Sequence, residues 1–164
     1  MKDLKKAEDY GDLIAHVIDG YCWSYKEYGS YQGDYIAIIE KQGKILIYKG
    51  YYGSCSGCDW FESNMENFDC EDEDACTTEA DVKEYVENET EVFLEIPKPD
   101  LPDSLEDFVS LLPANTRVEY EENEKKDYRD EDDVTLKDIY EQMKERDTHN
   151  LDYLEFRSKE NETA

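Results

Sequence analysis

The chain has 164 residues, and its 44 acidic side chains against 18 basic ones give a formal net charge of −26 and an isoelectric point near 4.2. A field of this sign disfavours direct binding to nucleic acid or to an anionic membrane surface. The longest clear apolar run is Ile36 to Ile39, so neither a membrane span nor the apolar core of a signal peptide is expected. The composition favours a cytoplasmic protein.

The charge is divided unevenly along the chain. Residues 1–60 contain 9 acidic and 7 basic side chains, whereas residues 61–164 contain 35 and 11. The first part also holds nine of the fourteen tyrosines, and no Ser/Gly-rich linker or internal repeat separates the two parts. We therefore expect a single domain over 1–164, with a near-neutral aromatic part, a strongly acidic part and a mobile C-terminal tail at 157–164.

Local patterns in the aromatic part predict one helix and three strands. Apolar residues at helical spacing predict a helix over 12–18, and the glycine two residues later would end it. Aromatic residues that alternate with polar ones over 21–25 predict a half-buried strand. Two β-rich runs at about 35–40 and 44–49 flank a short polar turn, where Gly43 supplies a positive φ, and they predict a hairpin.

Three amphipathic helices are predicted in the acidic part. Two begin at capping boxes, one formed by Thr78 with Asp81 and the other by Thr135 with Asp138. The third follows an apolar stripe over 105–112 and ends at the next proline. Further short elements are expected at 92–96 and 117–121, both as strands, and at 151–156. The elements together predict an α+β fold, a small antiparallel sheet with an N-terminal hairpin, packed by three or four amphipathic helices.

Four cysteines have a spacing that is close to that of a structural zinc site. Cys55, Cys58, Cys70 and Cys76 form the pattern C-x2-C-x11-C-x5-C, whose first pair is a typical zinc knuckle. The last gap is wider than the usual two to four residues and contains the acidic run 71–74. The stronger interpretation is a tight turn with reduced, small and buried cysteines. Disulfides are less favoured, because five cysteines leave one unpaired and a cytoplasmic location keeps thiols reduced.

Catalysis by a cysteine is also disfavoured by the sequence. A nucleophilic thiolate needs a positive environment or a helix N-terminus, and acidic residues flank this segment. A helix that begins at Asp59 would offset them only in part. For an enzyme, a cleft would have to bring Cys55, Cys58 or His16 beside the tyrosine-rich strands.

Two acidic runs suggest calcium at first sight, namely Glu71-Asp72-Glu73-Asp74 and Asp130-Glu131-Asp132-Asp133. In the register that starts at Asp130, the glycine required at the sixth position of an EF-hand loop is replaced by Thr135. An EF-hand is therefore rejected, and weak binding of cations by a solvated acidic run is the default interpretation.

Acidic residues three or four positions apart on a helix lie about 5–6 Å from each other and form rows on its surface. Such rows would suit the arginine- and lysine-lined groove of a nucleic-acid-binding protein. Long-range attraction would also make association fast and salt-sensitive. The candidate partner-binding residues are Glu71, Asp72, Glu73, Asp74, Asp81, Glu84, Glu87, Asp130, Glu131, Asp132, Asp133, Asp138, Glu141 and Glu145.

Two glycine-rich segments support a resemblance to other proteins. Gly29-Ser30-Tyr31-Gln32-Gly33-Asp34 is followed about twenty residues later by Gly53-Ser54-Cys55-Ser56-Gly57-Cys58-Asp59. Over this first third, the chain resembles small uncharacterised proteins encoded by phages and bacteria, which implies a phage or mobile-element setting in a host cytoplasm but no activity. In composition alone, the acidic remainder resembles the small inhibitors with which phages block host restriction or CRISPR defence.

These observations favour a non-enzymatic acidic protein that binds a basic partner, as a nucleic-acid mimic that inhibits a host nuclease complex. Two alternatives stay open beside it. One is a small module in which the four spaced cysteines hold zinc, and the other is an acidic surface that serves solubility alone. The sequence does not indicate the oligomeric state.

Overall fold

The computed structural model describes residues 4–29, 32–53, 59–68, 76–124 and 134–145. At its centre is a four-stranded antiparallel sheet in which the strands are neighbours in chain order. The strands are β1 (Tyr21–Glu27), β2 (Gly33–Lys41), β3 (Lys44–Tyr52) and β4 (Glu91–Pro97).

Helices pack on both faces of this sheet. Helices α1, α2 and α3 cover what we call the first face, and α4, α5 and α6 cover the second face. The combination of an antiparallel sheet with helices packed on it confirms the predicted α+β class. The helices are α1 (Tyr10–Ile18), α2 (Trp60–Met65), α3 (Glu79–Glu89), α4 (Leu105–Ser110), α5 (Ala114–Glu124) and α6 (Leu136–Glu145), with short 3₁₀ turns at Leu4–Lys6 and Lys98–Asp100.

The predicted hairpin is confirmed by strands β2 and β3, which pair without a register shift. Lys41 is opposite Lys44, and the two residues between them, Gln42 and Gly43, have φ of 48° and 76°. Two positive φ angles are typical of the type I′ turn, whose twist matches that of paired strands. This local geometry explains why the hairpin could be predicted from a short segment.

Strand β2 is buried on both sides, which explains its unbroken apolar sequence. Tyr35, Ala37 and Ile39 belong to the core on the first face, whereas Ile36 and Ile38 belong to the core on the second face. All five side chains are fully buried. A central strand that is covered on both faces has no solvent-facing position for a polar residue, so the usual polar alternation is lost.

The predicted strand at 21–25 is confirmed by β1, although its alternation is interrupted. Tyr21 and Trp23 point to the second face, but Tyr25 packs on the first face. The pairing with β2 shifts between Cys22 and Ser24, so that Trp23 is an extra residue in the ladder. Such a β-bulge moves every later side chain to the opposite face, which a simple period of two cannot anticipate.

The two predicted capping boxes are confirmed at the start of α3 and α6. In α6, the Asp138 backbone N donates to Thr135 Oγ1 (3.1 Å), and the Thr135 backbone N donates to Asp138 Oδ2 (3.0 Å). In α3, Thr78 and Asp81 make the same reciprocal pair. Each box satisfies backbone donors that have no partner within the helix.

Replacing Thr135 by alanine should lower the free energy of unfolding by about 1 kcal/mol, because the cap on α6 loses its oxygen acceptor. Denaturant titration of the two proteins measures the difference. Thr135→Ser is the matched control, since it keeps the hydroxyl, and it should unfold close to the parent protein. Equal destabilisation by both substitutions would show that the methyl group of Thr135, and not its hydroxyl, stabilises this helix start.

The strand predicted at 117–121 is wrong, because this segment lies within α5. The Arg117 backbone N donates to the Pro113 carbonyl O at 3.1 Å, and buried Tyr120 lies on the inner side of the helix. A five-residue stretch with two apolar residues at alternate positions is too short to distinguish the period of a strand from that of a helix. Periodicity alone could therefore not decide between the two elements. The element predicted at 151–156 and the tail at 157–164 lie outside the described residues.

Candidate functional site

Acidic side chains dominate the exposed surface of the second half of the described chain. From Phe61 onward, 18 described acidic residues are exposed, against three exposed lysines, Lys83, Lys137 and Lys144. Fifteen of these acids lie on five helices and on the edge strand β4, and the other three lie in the short segments between these elements. Within the described residues, the excess negative charge therefore lies on the folded surface.

Helix α3 presents the first predicted acidic row to solvent. Asp81, Glu84 and Glu87 are all exposed, while Val82 and Tyr85 on the opposite side of the helix are buried. Lys83 Nζ lies 3.9 Å from Glu87 Oε1, in an exposed pair that contributes little to stability. Asp81 also closes the capping box and Glu87 lies near Lys83, so Glu84 is the one member of this row that neither contact involves.

The second predicted row, on α6, is less available. Asp138 is half-buried and serves the capping box. Glu141 Oε1 lies 3.9 Å from Lys137 Nζ, and Glu145 is exposed beside Lys144 in sequence. In this row, one carboxylate therefore caps its own helix, and the charge of another is partly neutralised by a lysine.

The two rows do not form one surface, because the sheet separates them. Helix α3 packs on the first face through Val82, Tyr85 and Val86, whereas α6 packs on the second face through Ile139 and Met143. A flat partner could contact one row at a time. The other predicted binding residues, in the runs 71–74 and 130–133, lie outside the described residues.

The predicted zinc ligands are only partly within the described chain. Cys55, Cys58 and Cys70 lie outside it, and Cys76 is disulfide-bonded. The expectation that this cysteine is reduced is therefore wrong. A disulfide sulfur is not the thiolate that zinc binds, so a zinc site that includes Cys76 would first require reduction. Among the residues that the structure describes, no group of three or more His, Cys, Asp or Glu side chains is arranged to hold a metal ion.

His16, a catalytic candidate in the sequence, connects two helices. Its Nε2 lies 3.4 Å from Glu79 Oε1, so the last turn of α1 contacts the first turn of α3. The other two candidates for catalysis, Cys55 and Cys58, lie outside the described residues.

No helix in the described ranges is both long and apolar enough to cross a membrane.

The least predictable feature is a buried aromatic cluster on the first face, organised by one carboxylate. The Tyr10 hydroxyl donates to Asp59 Oδ1, and the Phe61 backbone N donates to the Tyr10 hydroxyl (2.9 Å). Asp59 also accepts from the backbone N of Gly53 (3.1 Å) and of Glu62 (3.1 Å), so that it caps α2. One buried carboxylate therefore connects α1, the end of β3 and the start of α2.

Aromatic rings fill the space around this carboxylate. Tyr10 stacks on Tyr35 with ring centroids 4.6 Å apart, and Trp60 stacks on Tyr85 at 4.4 Å. The hydroxyls of Tyr35 and Tyr85 form a hydrogen bond of 2.9 Å. The sequence signal that could have indicated the cluster is the density of tyrosines, but nothing local shows that Tyr10 meets a residue 49 positions away.

The tyrosine cluster should make the fold sensitive to alkali. Burial raises the pKa of Tyr10, Tyr25, Tyr35 and Tyr85 well above the ordinary value of 10.0. Above this value the unfolded chain loses phenolic protons that the folded chain retains, so stability is fully present below pH 10.0 and falls as pH rises above it. Tyrosinate absorbance and circular dichroism, followed together, should show ionisation of the buried phenols coinciding with unfolding.

Ionisation of these phenols in a chain that stays folded would contradict the burial. Tyr35→Phe provides the matched control, because it removes one buried phenol and keeps the ring. The variant should unfold with a shallower dependence on pH than the parent protein.

Comparison with known proteins identifies no relative. The chain matches no family model, no curated protein and no solved structure.

Proposed function

We propose that the protein is a non-enzymatic binding protein that engages a basic partner through its acidic helices. Its action would be that of a nucleic-acid mimic that inhibits a host nuclease complex of the restriction or CRISPR type. The supporting observation is the exposed surface of the described residues from Phe61 onward, where 18 acidic side chains face solvent against three lysines. A surface of this charge attracts arginine- and lysine-lined grooves at long range and repels nucleic acid itself.

The charge density of α3 supports the comparison with a nucleic-acid strand. Its 11 residues carry five acids and one lysine, a net charge of −4, over a length of about 16 Å. One strand of DNA carries a charge about every 3.4 Å, or about five charges over the same length. Helix α6 carries three acids and two lysines over 10 residues, a net charge of −1. We therefore propose α3 as the principal contact with the partner. The less charged row on α6 provides the control.

The test begins with capture of binding proteins from a bacterial lysate on the immobilised full-length protein at low salt. A salt gradient and a duplex DNA competitor then elute the partner. Affinity for a partner held mainly by charge should fall steeply between about 50 and 200 mM salt. Duplex DNA should displace the protein from its partner, because both would occupy the same groove. A captured protein that is indifferent to salt and to DNA would contradict the proposal.

Charge reversal on α3 locates the contact. Glu84→Lys with Glu87→Lys changes the net charge by +4 without touching the capping box, and binding to the captured partner should weaken at least 10-fold. Glu141→Lys with Glu145→Lys on α6 is the matched control, because it changes the total charge equally on the other face of the sheet. Equal losses in both double variants would show that the overall field, and not α3, governs binding. No loss in either would count against a role for the acidic surface and favour solubility as its purpose.

A further inference from the structure

The aromatic cluster on the first face forms a continuous path between two partly exposed rings. Trp60 lies 4.4 Å from Tyr85, Tyr85 lies 5.4 Å from Tyr10, and Tyr10 lies 4.6 Å from Tyr35, measured between ring centroids. Tyr25 follows at 5.5 Å from Tyr35. Trp60 and Tyr25 are partly buried, whereas the three rings between them are buried in the core. Electrons can move over such short gaps between rings without a cofactor.

The rings in this path differ in where a phenolic proton could go. Tyr10 donates to the carboxylate of Asp59, which is buried and held by two backbone N–H groups. The hydroxyls of Tyr35 and Tyr85 hydrogen-bond to each other, and a phenol is a poor proton acceptor. One-electron oxidation turns a phenol into a strong acid, so a tyrosine is oxidised most easily where a base is already in contact. Tyr25 also donates to a carboxylate, Glu27 Oε2 at 2.6 Å, but that pair is exposed to solvent. Tyr10 has its base in the core, where a radical is shielded from solvent.

We propose that the cluster conducts an oxidising equivalent from Trp60 to Tyr10, where it is held as a neutral tyrosyl radical. A one-electron oxidant at the surface, such as a metal complex, takes one electron from the indole of Trp60. Transfer through Tyr85 refills the indole and leaves the electron deficit on Tyr10. The Tyr10 O–H bond breaks, the proton forms an O–H bond on Asp59, and the oxidant is reduced by one electron. A one-electron reductant reverses each step.

The partly exposed Trp60 is the entry point because its indole stacks on Tyr85. Trp60 is also the first residue of α2, directly after Asp59. The activity is independent of the binding function proposed above, since it uses the first-face core and none of the acidic rows. It also assigns a purpose to Asp59 that a helix cap alone does not require, because the cap needs an oxygen acceptor but not a base.

The experiment uses the full-length protein and a ruthenium(III) polypyridyl oxidant generated by a light flash. Transient absorption and electron paramagnetic resonance should show a long-lived neutral tyrosyl radical. Tyr10→Phe keeps the ring and should abolish that long-lived signal. Asp59→Asn keeps an oxygen for the α2 cap but removes the base, and it should slow formation of the radical and reduce its yield. Trp60→Phe should slow oxidation of Tyr10.

Tyr51→Phe is the control, because Tyr51 is an exposed tyrosine outside the cluster that hydrogen-bonds Gln32. It should leave the long-lived signal unchanged. A signal that survives Tyr10→Phe, or that is lost equally in Tyr51→Phe, would overturn the proposal. Circular dichroism on each variant confirms folding, and Asp59→Asn tests the role of the base even where Tyr10→Phe folds poorly. Equal radical formation in Asp59→Asn would also overturn it.

Discussion

Replacement of Lys98 by methionine should lower the free energy of unfolding by about 3 kcal/mol, because it removes a cationic partner of a buried carboxylate. Glu40 ends the apolar run of β2 and is fully buried, and its Oε1 contacts the Nζ of Lys98 in the 3₁₀ turn after β4. Lys98 is about one third exposed, at 32%, so water offsets part of the loss and the effect falls at the lower end for a buried pair. Denaturant titration measures it.

Two further variants separate the ion pair from other effects of the substitution. Lys44→Met removes the exposed pair with Glu95, whose atoms are 3.1 Å apart, and should change stability by less than about 1 kcal/mol. Adding Glu40→Leu to Lys98→Met should recover most of the loss, since an apolar residue would then replace the buried carboxylate. If the exposed and buried pairs cost the same, or the double variant recovers nothing, the carboxylate of Glu40 is not what makes Lys98 important.

Elements that depend on short segments were accessible from the sequence. The hairpin turn needs only Gln42 and Gly43 in positive φ, and the helix starts at Thr78 and Thr135 need only a residue three positions later. In these cases the determining interactions lie within four residues, so a local pattern contains the information.

Features that depend on the meeting of distant segments were not accessible. The bulge at Trp23 turns Tyr25 to the other face, and only pairing with β2 shows it. The acidic rows on α3 and α6 can act together only if the two helices cover the same face of the sheet. The amphipathic pattern of a helix does not show which face it covers. The contacts of Tyr10 with Asp59 and of Glu40 with Lys98 join residues 49 and 58 positions apart. A single acidic residue at the end of a buried apolar strand is the one sequence signal that could have indicated the second contact.

The packing of distant segments is also why one glycine should be hard to replace. Gly50 lies opposite Tyr35 in the β2–β3 ladder, and a Cβ built there would fall within 3.0 Å of three atoms of the tyrosine ring and hydroxyl. Tyr35 is fully buried and stacked on Tyr10, so its ring cannot move aside. Gly50→Ala should therefore lower the free energy of unfolding by about 3 kcal/mol, as expected for overpacking in a rigid core.

Gly43→Ala is the matched control, because the same methyl group there meets no atom within 4 Å but must adopt φ of +76°. Strain of this kind costs about 1 kcal/mol. Denaturant titration should therefore rank Gly50→Ala as clearly the more damaging, and near-ultraviolet circular dichroism should show loss of tyrosine order in that variant alone. The reverse ranking would mean that the ring of Tyr35 does not lie across Gly50, and it would remove the steric basis for the packing of the aromatic cluster against β3.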